Sequence, residues 1–187
     1  MFLFTDTTLL DAVIAAKRRG VHVRVMLNPA RRDGKEENRE PRAALVADAI
    51  AAGSIWQGAA WQEIVAGAKA GRGVIHFIGL FSDGNVHSHL DHLKAMIVRA
   101  KEEGVKAVRV HALLDGRDVP ETSALDYVEP FEAFLASLCG ADFDAQIASG
   151  GGRMNITMDR YDANWSMVEK GWKTHVLGQG DLFASAS

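Results

Sequence analysis

Short apolar stretches alternate with amphipathic stretches through most of the chain. Residues 74–78 are rich in branched aliphatic side chains, have the length of a buried strand, and end at a Ser-Asp-Gly-Asn cluster that cannot continue it. A helix is predicted next, because apolar residues then recur at three- and four-residue spacing. These residues are Leu90, Leu93, Met96, Ile97 and Ala100. A strand, a polar loop and a helix in this order predict the start of a βαβ unit.

The same alternation continues towards the end of the sequence. Further strands are predicted at residues 106–113, 145–148 and 174–177, and further helices at 127–138 and 163–171. Strands that alternate with helices favour a parallel sheet, because each crossover returns the chain to the same end of the sheet. The pattern therefore predicts an α/β fold with a mostly parallel sheet flanked by helices in three layers.

Two helices are predicted ahead of the first strand of this sheet, at residues 43–52 and 60–70. The connection between them, GSIWQG, and the start of the second helix contain Trp56 and Trp61. Aromatic side chains at such spacing are usually core residues. We expect both tryptophans to anchor the connection by packing.

The first 44 residues have a different character. Residues 8–19 predict a helix, residues 21–27 alternate like a strand, and residues 28–41 form a polar linker with Pro at its end and near its start. The segment resembles a piece of the phospholipase D superfamily, in which such a helix and strand precede a catalytic motif that pairs a His with a Lys and an Asp. No His-x-Lys occurs within residues 1–44. We therefore expect residues 1–44 to form a structural helix-strand appendage with a linker, and residues 45–187 to form the main domain.

Composition and charge narrow the classes of function. The chain is 48% hydrophobic and 24% charged, with a formal net charge of -3, so no nucleic-acid or membrane-surface partner is expected. Cys139 is the single cysteine, which excludes an internal disulfide and a thiolate zinc cluster. No apolar stretch approaches the roughly 20 residues that span a bilayer. With no secretory signal pattern at the start, the expected location is the cytoplasm.

Polar loops follow three of the predicted strands: SDGNVHSH, DGRD and GGGRMNITMDR. The carboxyl ends of parallel strands meet at one edge of a sheet, so these loops should lie near one another. This edge would collect an imidazole, three guanidiniums and a carboxylate: His87, Arg117, Arg153, Arg160 and Asp118. The guanidinium group is a planar fork of donors that matches a phosphate or a carboxylate. The sequence therefore predicts a site for a small, doubly anionic ligand.

The same loops allow other interpretations. A metal site could form around His87, His89 and His92, but His89 and His92 share a helix face while His87 precedes the helix. Hydrogen-bonding or anion-contacting histidines are the favoured interpretation. Asp83 and Asp115 each precede a Gly, as in ordinary turns, so each is expected to be structural.

The three loop motifs closely resemble those of the cofactor-independent (2,3-bisphosphoglycerate-independent) phosphoglycerate mutases, in the order of that family. The resemblance runs from about residue 46 to residue 180 and is strongest to the branch found in plants, trypanosomatids and some bacteria. It implies a cytoplasmic isomerase of glycolysis and glucose catabolism that interconverts 3- and 2-phosphoglycerate. In the family, a phosphatase-like domain carries a serine nucleophile and two manganese or magnesium ions, and an inserted transferase domain holds the glycerate. This chain resembles the transferase domain only, and incompletely.

The resemblance also implies roles for individual residues. His87 matches a histidine that contacts phosphate, and Arg117 and Asp118 match a pair that binds the glycerate. Asp118 is thereby the candidate catalytic residue, handling the proton of the hydroxyl group. Arg153 and Arg160 match two substrate-binding arginines.

Several parts of the family pattern are absent from this sequence. They are the serine in its GNSE-type motif, the ligands of the metal ions, and a later pair of arginines expected beyond residue 187. We therefore expect no metal in this chain and no turnover by the chain alone. The expected partners are 3- or 2-phosphoglycerate and either a phosphatase domain in trans or a second copy of the chain. The alternative is a non-catalytic phosphoglycerate- or anion-binding module, or a fused, truncated gene product.

One residue within the motifs departs from the family. Asn85 stands where the more usual sequence of the first loop, SDGGVHSH, has a Gly. Because Asn tolerates left-handed backbone angles better than most residues, we expect the loop to keep its course.

Overall fold

The structure, a computed structural model, describes residues 46–47, 49–71, 73–156 and 164–186. The predictions for residues 1–44 and for Arg160 fall outside these ranges. Residues 46–47 and 49–51 are helical. The elements that follow are a 3-10 helix (Ser54–Gln57), α1 (Ala59–Ala70), β1 (Val74–Phe81), α2 (Leu90–Glu102), β2 (Ala107–Leu114), α3 (Ala124–Leu138), β3 (Asp144–Gly152) and α4 (Trp165–His175).

The three strands form one parallel sheet in the order β1-β2-β3. Phe81, Leu114 and Gly152, the last residues of the strands, are partners in the register of the sheet. All three strands therefore end level at one edge. The predicted parallel α/β fold with flanking helices is confirmed.

The core lies on the sheet face that helices α2 and α3 cover. Val108 and Val110 of β2 belong to the same buried cluster as Ile97 of α2 and Phe131 of α3. The ring of Phe131 meets that of Phe81 edge to face, with centroids 4.8 Å apart. Truncating a fully buried Phe such as Phe131 costs about 3–5 kcal/mol, because the site cannot collapse around the cavity.

The two tryptophans pack as predicted. Trp56 and Trp61 are buried, and their ring centroids lie 5.0 Å apart. The indole Nε1 of Trp61 donates a hydrogen bond of 3.0 Å to Oε1 of Glu103, at the end of α2. This bond and the packing attach α1 to the rest of the core.

The opposite face of the sheet is polar near its centre. Val110 pairs with Ile147, but the next residue, His111, pairs with Ser149. Ala148 is therefore an extra residue in β3, and this irregularity brings Ser149 beside His111. His175 of α4 bonds Ser149 on this polar face, so α4 lies on the face opposite α2 and α3.

The strand predicted at residues 174–177 is wrong, because α4 continues to His175. The hydroxyl of Thr174 donates to the carbonyl of Lys170 at 2.9 Å, and the N–H of Val176 donates to the carbonyl of Trp172 at 2.9 Å. These local bonds satisfy the helix end, and they override the strand preference of the β-branched residues.

β3 is longer than predicted and includes the glycines that sequence reasoning placed in a loop. Gly150, Gly151 and Gly152 pair with the last residues of β2. A Cβ atom on Gly151 would overlap the side chain of Ile156, so the chain after the strand folds back closely over it. Glycine is needed at this position for space rather than for a turn.

Candidate functional site: the loop edge

The loops that follow β1, β2 and β3 (residues 82–89, 115–123 and 153–156) are called the loop edge below, and their side chains contact one another. Ser82 Oγ donates to Asp115 Oδ2 at 2.7 Å. Nη1 of Arg153 donates to Asp118 Oδ2 at 2.7 Å and to Asp115 Oδ1 at 3.2 Å. His87 Nε2 lies 3.9 Å from Asp118 Oδ2. The prediction that the three loops meet is confirmed for these residues.

Asp115 is the centre of this network, and its side chain is only 2% exposed. Besides Ser82 and Arg153, the carboxylate accepts the backbone N–H groups of Arg117 and Asp118, both at 3.1 Å. Burial alone would raise the pKa of Asp115, but the hydrogen bonds from Ser82, from these two N–H groups and from Arg153 outweigh it and lower the pKa. Asp115 is therefore charged at neutral pH.

Sequence reasoning recognised only part of the role of Asp115. The bonds to the next residues are those of an ordinary Asp turn, as predicted, and Gly116 has a φ of 118°. The contacts with Ser82 and Arg153 span distant parts of the chain and have no local signal. Ser82 and Asp115 each follow one of two register partners, Phe81 and Leu114, so the sheet register places them side by side.

The backbone of the first loop packs against the second. A Cβ atom on Gly84 would lie 3.2 Å from Val119 and 3.3 Å from Asp118. Asn85 has a φ of 55°, which is in the left-handed region. Asn adopts this region more readily than most residues, so it can replace Gly here.

The histidines at the start of α2 have a structural use. Nδ1 of His89 accepts the N–H of Asp91 at 3.1 Å and so caps the helix. The centroid of the His92 ring lies 5.4 Å from that of His89. The pKa of His92 is lowered, mainly by burial and to a smaller extent by the charge of His89. Within the described ranges, no group of three or more His, Cys, Asp or Glu side chains is arranged to hold a metal ion.

A further contact joins the first loop to α3. The hydroxyl of Tyr127 donates to Asp83 Oδ1 at 2.6 Å. This bond is the main cause that raises the pKa of Tyr127 to about 12, with smaller contributions from burial and from nearby carboxylates. Asp83 thus helps to fix the loop against the helix.

The predicted site residues differ in their access to solvent. The side chains of Arg153 and Asp118 are 16% and 17% exposed, and that of His87 is 36% exposed. Arg117 is exposed. Arg153 therefore lies beneath the surface of the loop edge, where Arg117 and His87 are accessible. Arg160 lies outside the described residues.

A shallow groove of about 310 Å³ lies elsewhere on the molecule. Its lining includes Lys101, Lys106, Asp142 and Phe143, which precede β2 and β3 or end α2. This groove is at the opposite end of the strands from the loop edge. The charged network of the loop edge is therefore not part of it.

The fold and the loop edge define a parallel α/β domain with a network of arginine and carboxylates at the carboxyl ends of its strands. Residues 46–187 match the family described as the BPG-independent PGAM N-terminus, iPGM_N. The chain belongs to this family, and the resemblance drawn from the loop motifs is confirmed.

Proteins similar in sequence to this chain are named as phosphoglycerate mutases. The chain is 59% identical over 144 residues to a probable 2,3-bisphosphoglycerate-independent phosphoglycerate mutase of Leptospira interrogans, and 44% identical over 144 residues to the Trypanosoma brucei brucei enzyme. Each match covers 77% of this chain and 26% of the relative. A crystal structure of Leishmania mexicana phosphoglycerate mutase at low cobalt concentration matches with a TM-score of 0.72 and 47% identity, over 77% of this chain and 26% of that one. The chain thus spans about a quarter of the length of these relatives.

In the parts of the chain that the structure describes, no helix has both the length and the apolar character needed to cross a membrane.

Proposed function

We propose that the loop edge binds 3- or 2-phosphoglycerate and that the chain is the substrate-holding part of a phosphoglycerate mutase. The observation that carries this proposal is the position of Arg153, which is held between Asp115 and Asp118 where the loops of all three strands meet. A guanidinium group placed there suits a carboxylate or a phosphate of a small ligand. The family to which the chain belongs supports the choice of phosphoglycerate.

Binding would exchange one partner of Arg153. The same Nη1 atom bonds Asp118 at 2.7 Å and the more buried Asp115 at 3.2 Å. An anionic group of the ligand competes with Asp118 for this donor, while Asp115 stays in place. Asp118 then becomes free to accept the hydroxyl group of the glycerate, which is consistent with its proposed role in handling the hydroxyl proton.

The other proposed binding residues surround this pair. His87, 3.9 Å from Asp118, and the exposed Arg117 can contact the phosphate from the solvent side. Arg160 keeps the substrate-binding role proposed from its motif. Together these residues supply the positive charge that a ligand with a phosphate and a carboxylate requires.

Turnover is proposed to require protein outside this sequence. The chain spans about a quarter of the length of its relatives. The resemblance implies that the serine nucleophile and the manganese or magnesium ions lie in a separate phosphatase-like domain. Those groups supply the transfer of the phosphoryl group. We propose that this chain contributes substrate binding in the cytoplasm and is inactive alone. Its proposed partner is a phosphatase domain in trans or a second copy of the chain.

The experiment is a calorimetric titration of the purified chain with 3-phosphoglycerate, without manganese and with glycerate as the control ligand. We expect saturable binding of 3-phosphoglycerate only. Arg153→Ala should weaken it by about 1.5–3 kcal/mol, because a charge-assisted contact is lost. Arg109→Ala is the matched control, since Arg109 also pairs with an aspartate, Asp144, but near the other end of β2.

Equal losses from the two arginine substitutions would contradict a site at the loop edge. Absence of binding by a folded chain would refute phosphoglycerate binding and leave the truncated, non-functional product as the alternative. Mutase activity of this chain, in a preparation free of host enzyme, would contradict the proposal that it is inactive alone.

A further inference from the structure

The side chain of Asp115 is more deeply buried than those of Arg153 and Asp118, two of the proposed ligand contacts. Its side chain is 2% exposed, against 16% for Arg153 and 17% for Asp118. It nevertheless contacts all three loops of the edge. It bonds Ser82 after β1, the backbone N–H groups after β2, and Arg153 after β3.

We propose that Asp115 is a positioning residue, which holds the guanidinium of Arg153 in the orientation that receives the anionic ligand. The proposal rests on the proposed binding function, and it adds that Asp115 acts through Arg153 without touching the ligand. Asp118 is the partner that the ligand displaces, and Asp115 is the partner that remains.

The geometry explains why Asp115 can serve as the fixed partner. Its Oδ2 is held by the hydroxyl of Ser82 at 2.7 Å, and its Oδ1 by two backbone N–H groups at 3.1 Å. A carboxylate with so many fixed donors cannot follow Arg153, so Arg153 must align with it. An arginine that is oriented before binding loses less side-chain entropy when the ligand arrives.

The competing explanation is that Asp115 only folds its own loop. Both explanations predict weaker binding when Asp115 is changed, so a single substitution does not separate them. They differ when Arg153 is absent. A positioning residue then has nothing left to orient, whereas a residue that folds the loop keeps its effect.

The test is a double-mutant cycle built on Asp115→Asn and Arg153→Ala. Asn keeps the size of the side chain and an oxygen for the two backbone N–H groups, but it removes the charge that attracts Arg153. Asp142→Asn is the matched control, because its side chain is 93% exposed and lies at the other end of the sheet. Binding of 3-phosphoglycerate is followed by nuclear magnetic resonance titration, which keeps millimolar dissociation constants measurable.

We expect Asp115→Asn to raise the dissociation constant on the order of tenfold, and Asp142→Asn to leave it unchanged. In the Arg153→Ala background, Asp115→Asn should change it by less than about twofold. Unchanged binding by Asp115→Asn would overturn the proposal. A full tenfold loss in the Arg153→Ala background would do the same, because Asp115 would then act without Arg153.

A second measurement separates this proposal from the binding function itself. The Nε–H resonance of Arg153, identified by its loss in Arg153→Lys, reports the order of the guanidinium without any ligand. We expect it to shift and broaden in Asp115→Asn and to stay unchanged in Asp142→Asn. If the wild-type chain binds no phosphoglycerate, the binding function fails, and this resonance alone decides whether Asp115 positions Arg153.

Ser82→Ala replaces Asp115→Asn if the latter does not fold. It removes the hydroxyl that donates to Asp115 Oδ2 and that also accepts the N–H of Gly84 at 3.3 Å. The expected loss of binding is roughly two- to fivefold, again only when Arg153 is present. An equal loss in the Arg153→Ala background would contradict the proposal.

Discussion

The protein has two polar networks, one at the carboxyl ends of the strands and one on a face of the sheet, and the first is charged whereas the second is neutral. The loop edge holds the carboxylate of Asp115 in its charged form. The second network, called the histidine row here, consists of His76 on β1, His111 on β2, Ser149 on β3 and His175 on α4. Both link all three strands through side chains, but the histidine row is neutral.

Hydrogen bonds connect the whole histidine row. Nδ1 of His76 lies 3.0 Å from Nε2 of His111, and Ser149 Oγ lies 2.6 Å from Nδ1 of His111 and 2.7 Å from Nδ1 of His175. Within the described residues, Nε2 of His175 is buried and has no partner. The assignment that leaves this atom without a proton makes each group donate to the next, from His175 through Ser149 and His111 to His76.

The difference between the networks lies in what surrounds the ionisable group. Asp115 is buried, but it accepts two backbone N–H groups and faces Arg153. The histidine row contains no carboxylate. The pKa of His111 is lowered to about 4, mainly by burial and to a smaller extent by the charges of His76 and His175. Burial thus neutralises a group only where the fold provides no compensating donors or charges.

The largest expected effect that would test this comparison is on stability at the loop edge. Asp115→Ala leaves the Ser82 hydroxyl, two backbone N–H groups and Arg153 without their buried acceptor. We expect it to lower the free energy of unfolding by about 3 kcal/mol, because several donors that are held by one buried carboxylate lose their acceptor together, although Arg153 keeps its bond to Asp118. Urea unfolding at neutral pH measures the loss. Asp142→Ala, at an exposed site, should change stability by less than about 0.5 kcal/mol, and similar values for both would contradict the central role of Asp115.

The sequence predicts the parts of this molecule that depend on local pattern. The apolar run from Val74 and the periodic helix from Leu90 are where they were expected, and parallel topology alone places the three loops together. The end of α4 and the extension of β3 through its glycines were missed. Local hydrogen bonds at the end of α4, and pairing with β2 along the end of β3, outweigh the propensity of the residue type.

The network around Asp115 could not be predicted because its partners come from three loops. The motifs identify Arg153 and Asp118 as a possible site, but nothing in the sequence shows that Asp115 lies between them. The same limit applies to the histidine row. His111 and Ser149 become neighbours through the irregularity in β3, which the run of small residues does not reveal.

The next largest expected effect is on the pH dependence of stability, to which the two networks contribute in different pH ranges. The folded chain lowers the pKa of His111 from 6.5 to about 4, so the unfolded chain binds its proton more readily. The stabilisation from a neutral His111 is therefore complete above about pH 6.5 and falls as the pH drops towards about 4. The lowered pKa of Asp115 acts in a different window, because its contribution is lost only as the pH falls below its ordinary value of 3.8.

We expect His111 to account for about 1–2 kcal/mol of stability lost between neutral pH and pH ~4, after allowing for its partial exposure. Urea unfolding over this range measures the loss. His111→Asn should flatten the dependence relative to the wild-type chain. Parallel curves for the two proteins would show that His111 does not set the response.

The smallest expected effect concerns an exposed hydrogen bond of the loop edge, between Tyr127 and Asp83. Asp83→Asn should bring the pKa of Tyr127 from about 12 back towards 10, because the charged acceptor that holds the phenol proton is gone. Absorbance of the phenolate during alkaline titration measures this, with Tyr127→Phe identifying the signal among the two tyrosines. The cost in stability should stay near 0.5 kcal/mol, since the bond is exposed. A loss as large as that of Asp115→Ala would show that exposure does not separate the strong contacts of the loop edge from the weak ones.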